Sequence, residues 1–188
     1  MDTGSELIRD FVNTLHQDPH GDEEHLAAPA DLAAWLASRG LVPPEARASS
    51  ADLRGAARLR EALRQLLLSH NEVEVDTAGA WLVLDEAAER ARLRLRFGPD
   101  GPELKPGAAG VAGALGRIVI AVHDTIAAGT WQHLKACRAR DCEWAFLDTA
   151  RNQSRAWCSM RSCGNRAKAR SYRRRHPHAA ETPAAPAA

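Results

Sequence analysis

The sequence predicts an α+β protein with a mainly helical N-terminal domain that carries a β-hairpin, followed by a small cysteine-containing domain. Three observations support this prediction. Apolar residues recur at helical spacing in five segments before residue 130, one short segment alternates apolar and basic residues, and all four cysteines lie between positions 137 and 163. A chain of 188 residues can form one good domain and a small module. We therefore expect domains at 1–130 and 131–176, with 177–188 as a disordered Pro/Ala-rich tail.

The first two helices are defined by apolar spacing and by stop signals. The first is expected over residues 5–16, before proline and glycine interrupt the pattern in HQDPHGDEEH. In PADLAAWLASRGLVPP, we expect Asp31 to cap the N-terminus of a short second helix and Gly40 to end it.

Two further helices follow. The segment 50–70 begins with Ser-Ser-x-Asp and places four leucines on one face, and Asp76 or Thr77 begins the next apolar run. The stretch ARLRLRF then alternates leucine and phenylalanine with arginine, and GPDG reverses the chain, which predicts a β-hairpin with one solvated basic face. Helical spacing returns from Val111 and ends at Gly129, and this helix is expected at the centre of the larger domain.

The charge is divided unevenly along the chain. Residues 1–130 carry 13 Lys/Arg against 20 Asp/Glu, whereas residues 131–178 carry 12 Lys/Arg against three Asp/Glu. The net charge of +1 therefore conceals a basic C-terminal part. No uninterrupted run of eighteen apolar residues is present, and the acidic N-terminus lacks the features of a signal peptide. We expect a cytoplasmic protein without a membrane span.

The four cysteines form two pairs with equal spacing. Cys137 and Cys142 enclose four residues, as do Cys158 and Cys163, and fifteen residues separate the pairs. This arrangement allows four thiolates to converge on one zinc ion, each pair forming a knuckle. Four thiolates leave no open position for water, so the predicted zinc is structural, one ion per chain. The metal would also explain how so small and polar a segment folds.

Two other interpretations of the cysteines remain. They could be reduced thiols without a metal, although free cysteines usually scatter with the core. They could also form a redox pair, but such pairs favour Cys-x-x-Cys at the start of a helix in a βαβ unit, and that motif is absent from this sequence.

A basic helix is predicted directly after Cys163 and extends to Arg175, which gives a treble-clef-like layout. Arg166, Arg170 and Arg173 fall at i, i+4 and i+7 on one face, and Lys168, Arg174 and Arg175 widen it. No acidic residue lies between Asp148 and Glu181 to compensate this charge. The expected partner is a polyanion, and the candidate contact residues are Arg166, Lys168, Arg170, Arg173 and Arg174. Arg166 could instead pair with Asp148 and brace the finger.

The segment KACRARDCEWAFLDTARNQSRAWCSMRSCGNRAKARSYRRR resembles the CGNR zinc finger, named for the tetrad that here is Cys163, Gly164, Asn165 and Arg166. The region before it resembles the ABATE domain, which usually precedes this finger, through DFVNT at 10–14, DLAAWLASRGL and LREALRQLLL. The resemblance covers nearly the whole chain. It implies a bacterial, often stress-associated, regulator of transcription.

Two groups of residues keep two interpretations each. Asn13 and Thr14 either line a pocket for a small-molecule effector or hydrogen-bond the backbone near a helix end. Three tryptophans in or beside the finger could stack on unpaired bases, although in a small metal domain they more often form the core: Trp131, Trp144 and Trp157.

The sequence therefore predicts a nucleoid-associated regulator that binds duplex DNA through its finger, while the N-terminal domain senses a ligand or forms a homodimer. An RNA-binding or ribosome-associated module and a thiol-based redox switch remain as alternatives. An enzyme is not expected, because the sequence contains no Ser/His/Asp set, P-loop or Gly-rich dinucleotide motif.

Overall fold

The computed structural model describes residues 3–16, 22–99 and 101–176. In this part of the chain the helices are α1 (Thr3–Val12), α2 (Pro29–Ser38), α3 (Ser50–Ser69), α4 (Thr77–Ala91), α5 (Gly110–Ala127) and α6 (Asn165–Arg175). The strands are β1 (Leu15–His16), β2 (Glu23–Glu24), β3 (Leu93–Gly98), β4 (Gly101–Pro106), β5 (Leu134–Ala136) and β6 (Ala145–Leu147). They form three antiparallel pairs, each of two neighbouring strands. The predicted α+β class is confirmed, whereas the predicted disordered tail lies outside the described residues.

Helix α1 is shorter than predicted. It ends at Val12, and the next residues turn back, with the Thr14 N–H donating to the Phe11 carbonyl at 3.2 Å. Leu15 and His16 then pair with Glu24 and Glu23 as strands. An apolar residue at helical spacing, Leu15, therefore belongs to a strand, because a tertiary pairing overrides the local pattern.

Helix α2 begins earlier than its predicted cap. Ala28 precedes the helix, Pro29 is in its first turn, and the Asp31 carboxylate accepts a hydrogen bond from the Ala28 N–H at 2.8 Å. The prediction that Asp31 is the N-cap is wrong, because proline fits the first helical position and moves the start towards the N-terminus. Gly40 follows the helix with a φ of +66°, as expected for its stop signal.

Helices α3 and α4 both begin with side-chain caps. The Ser49 hydroxyl accepts from the Asp52 N–H, and the Asp52 carboxylate accepts from the Ser49 N–H, which forms a capping box. Asp76 caps α4 through the Gly79 N–H at 3.0 Å. The leucines of α3 are buried as their spacing predicts: Leu59, Leu63, Leu66 and Leu67.

Helix α5 lies at the centre of the helical core and contacts α1 and α4 most extensively. A Cβ at Gly116 would lie 2.3 Å from the Ala91 Cβ, so glycine is needed where α5 crosses the end of α4. By length and composition alone α5 could cross a membrane, and half of its residues are buried in the protein.

The strands β5 and β6 are part of the same core. Leu134, Ala136 and Ala145 are fully buried and belong to one apolar cluster with the leucines of α3. The end of α3 holds β5 by hydrogen bonds: His70 Nδ1–H donates to the Leu134 carbonyl at 2.7 Å, and Asn71 donates to the Ala136 carbonyl at 2.8 Å. Residues on either side of the predicted boundary at 130/131 therefore pack into one core.

Asn13 joins α1 to β6. Its side-chain amide donates to the Ala145 carbonyl at 2.9 Å, and its side-chain oxygen accepts from the Ala145 N–H at 2.8 Å. The side chain thus pairs with the outer edge of β6 as a neighbouring strand would. Because Asn13 and Ala145 are buried, both backbone groups of Ala145 depend on this amide for their hydrogen bonds.

Replacing Asn13 with alanine should destabilise the whole chain. Two buried backbone groups would lose their partners, and each unsatisfied group costs about 1–3 kcal/mol. We expect urea unfolding to show a loss of about 2–4 kcal/mol in the free energy of unfolding. Asn152→Ala, at an exposed asparagine, is the matched control and should change it by less than about 0.5 kcal/mol. Equal losses in the two variants would contradict the role of Asn13.

Candidate metal centre and the adjoining groove

The first cysteine pair lies on a tight turn between β5 and β6. Cys137 follows β5, and its N–H donates to the Trp144 carbonyl at 3.0 Å. The N–H groups of Cys142 and Glu143 both donate to the Ala139 carbonyl, which turns the chain back towards β6. Glu143 takes a φ of +46° to complete the turn. The knuckle is therefore shaped by backbone hydrogen bonds.

The second pair lies at the start of the last helix. Met160–Gly164 form one wide π-helical turn, and the Ser159 hydroxyl accepts from the Ser162 N–H at its start. Cys163 lies in this turn, directly before α6. A Cβ at Gly164 would lie 2.7 Å from the Met160 sulfur and 3.3 Å from a Trp157 ring carbon, so only glycine fits here unless Met160 moves.

The four sulfur atoms converge. Cys137, Cys142, Cys158 and Cys163 place them within 4.8 Å of one another. The Cys142–Cys158 and Cys158–Cys163 sulfur pairs are 3.6 and 3.7 Å apart. Four sulfurs bound tetrahedrally at ~2.3 Å from one zinc ion lie about 3.8 Å from each other, whereas a disulfide needs about 2.05 Å. The site therefore fits one structural zinc ion.

Protons and metal compete for these sulfurs. Hydrogen bonds from Cys142 and Cys158 lower the pKa of the Cys137 thiol far below its usual range, whereas the bond with Cys137 raises the pKa of Cys142. It also raises the pKa of Cys158 to about 12. In the metal-free protein, thiols this close together cannot all be deprotonated, because neighbouring thiolate charges repel one another. Zinc binding must displace the remaining protons, so zinc affinity falls as the pH falls.

Arg166, the last residue of the tetrad, braces the centre. Its Nη2 donates to the Cys163 sulfur at 3.2 Å, which partly balances the negative charge of a thiolate. Its Nε lies 3.7 Å from the carboxylate of Asp141, which Arg170 also approaches at 3.5 Å. The alternative that Arg166 pairs with Asp148 is wrong, and so is the expectation that the basic face has no acidic compensation, because the first knuckle brings Asp141 back to α6.

Asp148 instead takes part in a buried ion pair. Lys135 Nζ donates to its carboxylate at 2.8 Å, and both side chains are less than 10% exposed. The same carboxylate accepts the N–H groups of Ala150 and Arg155 at 3.0 and 2.9 Å. It thereby fixes the loop from β6 to the second cysteine pair. Nothing in the sequence distinguishes Lys135 as the partner of Asp148, because lysines are mostly exposed in folded proteins.

Helix α6 bears the predicted nucleic-acid contacts and contains no buried residue. Lys168, Arg173 and Arg174 are exposed, and no described acidic residue lies within ion-pair distance of them. Arg166 and Arg170 differ from these three because they approach Asp141. An open groove of about 690 Å³ separates α6 from Trp157, and Arg170, Arg173 and Arg174 line it.

Asn13 and Thr14 make the backbone contacts that were one of their two interpretations. Thr14 Oγ1 donates to the Phe11 carbonyl at 2.8 Å and accepts from Arg60 at 3.3 Å. Both residues also line an open groove of about 820 Å³ between the helical core and the metal centre. The polar groups of both residues are thus hydrogen-bonded within the protein, and both residues also line this groove.

The remaining lining of this groove includes three arginines and three large aromatic side chains: Arg9, Arg39, Arg155, Trp35, Trp144 and Phe146. Arg9 and Arg39 share the carboxylate of Asp10, whereas Arg155 lies over the Phe146 ring at 4.7 Å and donates to backbone carbonyls. The half-buried ligand Cys158 also reaches this groove. The cavity has aromatic walls, an excess of positive charge and direct contact with the metal centre.

Removing zinc should loosen the knuckles and leave the strands between them in place. The cysteine turns have few apolar contacts of their own, whereas β5 and β6 pack into the helical core. We expect a strong chelator to increase amide exchange at 137–142 and 158–164, with the amides of β5 and β6 still protected. Unchanged exchange at the cysteine turns would show that the metal is not structural.

Asp148→Asn should destabilise the protein by about 3–5 kcal/mol, because it leaves a buried lysine charge without a counter-ion. Burial raises the pKa of Asp148, but the Lys135 hydrogen bond and two backbone N–H groups outweigh it, so the net pKa is lowered. A carboxyl group whose pKa is lowered on folding stabilises the folded state at pH values above its unfolded pKa of ~3.9. This stabilisation is lost only as the pH falls below that value. The deficit measured by urea unfolding should therefore not shrink as the pH falls from 8 to 5. A deficit that shrinks over this range would contradict the lowered pKa.

Two family models match the chain. The ABATE family, described as "Putative stress-induced transcription regulator", matches residues 5–135, and the CGNR zinc finger matches residues 133–176. No curated protein matches the chain significantly. The two matches overlap at the start of β5, the strand that the helical core and the metal centre share. Since the first match covers more than half of the sequence, the chain belongs to the ABATE family and carries a CGNR zinc finger.

Proposed function

We infer that this protein is a zinc-dependent regulator of transcription that binds duplex DNA through α6, with the nucleoid of a bacterial cytoplasm as its place of action. The observation that carries this inference is the part of the α6 charge that has no acidic partner among the described residues. Lys168, Arg173 and Arg174 are exposed on a helix that the metal centre anchors at its first turn. Cations that face solvent without acidic partners favour a polyanionic ligand.

The dimensions of α6 suit the major groove. A helix of 11 residues is about 16 Å long, and the major groove of B-DNA is about 12 Å wide and admits a helix. Arginine and lysine are also the residues that most often contact phosphates and guanine edges. Zinc contributes by fixing the turn from which α6 begins, so DNA binding should depend on an intact metal centre.

The test is the salt dependence of DNA binding. Changing Lys168, Arg173 and Arg174 to alanine removes three of the α6 cations that have no acidic partner among the described residues. Each lost phosphate contact flattens the log–log slope by about 0.9, so the triple variant should flatten it by about 2.7. Fluorescence anisotropy with labelled duplex DNA at several salt concentrations measures this slope.

The matched control removes the same charge elsewhere. Arg47, Arg54 and Arg90 are exposed arginines of the helical domain, and their triple alanine variant should keep the slope of the unmodified protein. Equal slopes in both triple variants, with zinc still bound, would reject α6 as the contact surface. Stronger competition by structured RNA than by duplex DNA would favour the RNA-binding alternative.

The groove beside the metal centre favours a second function, the sensing of a small anionic molecule with an aromatic part. Arg155 lacks an acidic partner among the described residues, and Trp35 and Trp144 offer apolar walls. A ligand here would touch the backbone of β6 and Cys158 together, and could therefore alter how the finger is held. Homodimerisation of the helical domain and the redox switch remain predictions.

Benzoate is a simple probe for this groove, with uncharged benzamide as its control. Benzoate should shift the indole N–H resonances of Trp35 and Trp144 in a saturable way, and Arg155→Gln should weaken this effect by roughly tenfold through loss of a charged hydrogen bond. Equal shifts with benzamide, or an unchanged affinity in the variant, would contradict an anion site.

A further inference from the structure

The hairpin formed by β3 and β4 has two chemically different faces. Its register pairs Leu93, Leu95 and Phe97 with Pro106, Leu104 and Pro102, so these six side chains share one face. Arg94 and Arg96 point to the other face, opposite Lys105 and Glu103. On the apolar face Leu95 is 53% and Phe97 82% exposed, whereas Leu93, Leu104 and Pro106 are half-buried. On the other face Arg94 and Arg96 are exposed. The sequence predicted the solvated basic face but not the exposure of the apolar one.

Two prolines determine which edge of the hairpin is open. Pro102 and Pro106 have no N–H, so they occupy positions of β4 that do not donate to β3 and whose backbone faces outward. In an antiparallel pair, two directly opposite residues either both direct their N–H and C=O groups towards the partner strand or both direct them away from it. The N–H and C=O groups of Leu95 and Phe97 therefore point outward from β3. Among the described residues, no further backbone hydrogen bond involves these two residues.

Within the described residues, the outer edge of β3 is consequently a strand edge without a partner, whereas the outer edge of β4 has one N–H donor, that of Leu104, between two prolines. The charges on the hairpin differ in the same way. Glu103 pairs with Lys105 at 2.8 Å, so both charges of β4 are matched. Arg94 and Arg96 of β3 have no described acidic residue within ion-pair distance. The open edge is thus also the edge with unmatched positive charge.

We propose that β3 binds an extended acidic segment of a partner protein, which adds an antiparallel third strand to the hairpin. The segment alternates apolar and acidic residues. Its apolar side chains cover Leu95 and Phe97, its carboxylates face Arg94 and Arg96, and its backbone completes the hydrogen bonds of the edge. Five such residues would span about 17 Å along β3.

A second copy of this chain is a poor occupant. Antiparallel pairing of β3 with its own copy about Leu95 would place Arg94 opposite Arg96 of the copy, and like charges directly opposite destabilise a sheet. The outer edge of β4, where Pro102 and Pro106 lie, offers too few N–H donors to pair with a second copy in place of β3. A nucleic acid could neutralise the two arginines, but it would leave the apolar face and the backbone edge of β3 uncovered. A peptide of alternating character matches all three features.

A labelled peptide of roughly ten residues that alternates valine and glutamate tests the proposal with the full-length, zinc-loaded protein. It should bind saturably, and hydrogen exchange should slow at the amides of Leu95 and Phe97. The amide of Leu104, which faces outward on the opposite edge, should be unchanged and serves as an internal control. Absence of binding, or equal protection of Leu104, would overturn the proposal.

Exchange of the charges gives a second readout. The double variant Arg94→Glu, Arg96→Glu should weaken binding of the glutamate peptide by roughly tenfold and gain binding of a valine–lysine peptide. Arg47→Glu, Arg54→Glu is the control and should bind the glutamate peptide as the unmodified protein does. Zinc content and circular dichroism show that each variant is folded.

N-methylation of the peptide tests the strand pairing itself. In an antiparallel pair, the valines opposite Leu95 and Phe97 direct their N–H groups to β3, whereas the glutamates direct theirs away. N-methyl-valine should abolish binding, and N-methyl-glutamate should preserve it. Equal effects of the two modifications would overturn the added strand. Loss of DNA binding in the charge variant, without any peptide binding, would assign the hairpin to nucleic acid instead.

Discussion

The buried guanidinium of Arg64 holds together the parts on which the functional sites depend. It lies in the middle of α3, is 2% exposed, and donates to the carbonyls of Val12, Leu15 and Glu143 at 2.8, 3.2 and 3.0 Å. Glu61 supplies the counter-charge at 3.0 Å. A buried charge is costly unless its donors are satisfied, so these carbonyls must stay where they are. The end of α1 and the first zinc knuckle are thereby fixed to one helix.

This arrangement makes the metal centre an extension of the helical core. The end of α1, held by Arg64, presents Asn13 to β6, and β6 leads from the first knuckle towards Asp148. Asp148 in turn fixes the loop that returns to Cys158. A structural change at the groove is therefore separated by only a few contacts from the metal ligands and from the first turn of α6. The family description of a regulator is consistent with such coupling.

Features that depend on a few neighbouring residues could be predicted from the sequence, whereas contacts between distant residues could not. Cysteine spacing predicted the four sulfurs that meet, since each knuckle needs only a few residues. Apolar spacing predicted α3 and α5, whose buried faces are long. It could not indicate that Asp141 approaches α6, because the turn at Ala139 is set by backbone geometry. Arg64 resembles a surface residue of an amphipathic helix until its distant carbonyl partners are known.

The contact between Asn13 and Ala145 also affects how the chain folds, because 132 positions separate its two members. Contacts between such distant residues raise the contact order and slow folding, since a long loop must close before they form. During synthesis, the five helices of the N-terminal part emerge before the strand that completes their core. The faces of α1 and α3 that β5 and β6 cover therefore stay exposed until β6 is made, and a chaperone that shields them at this stage would reduce aggregation.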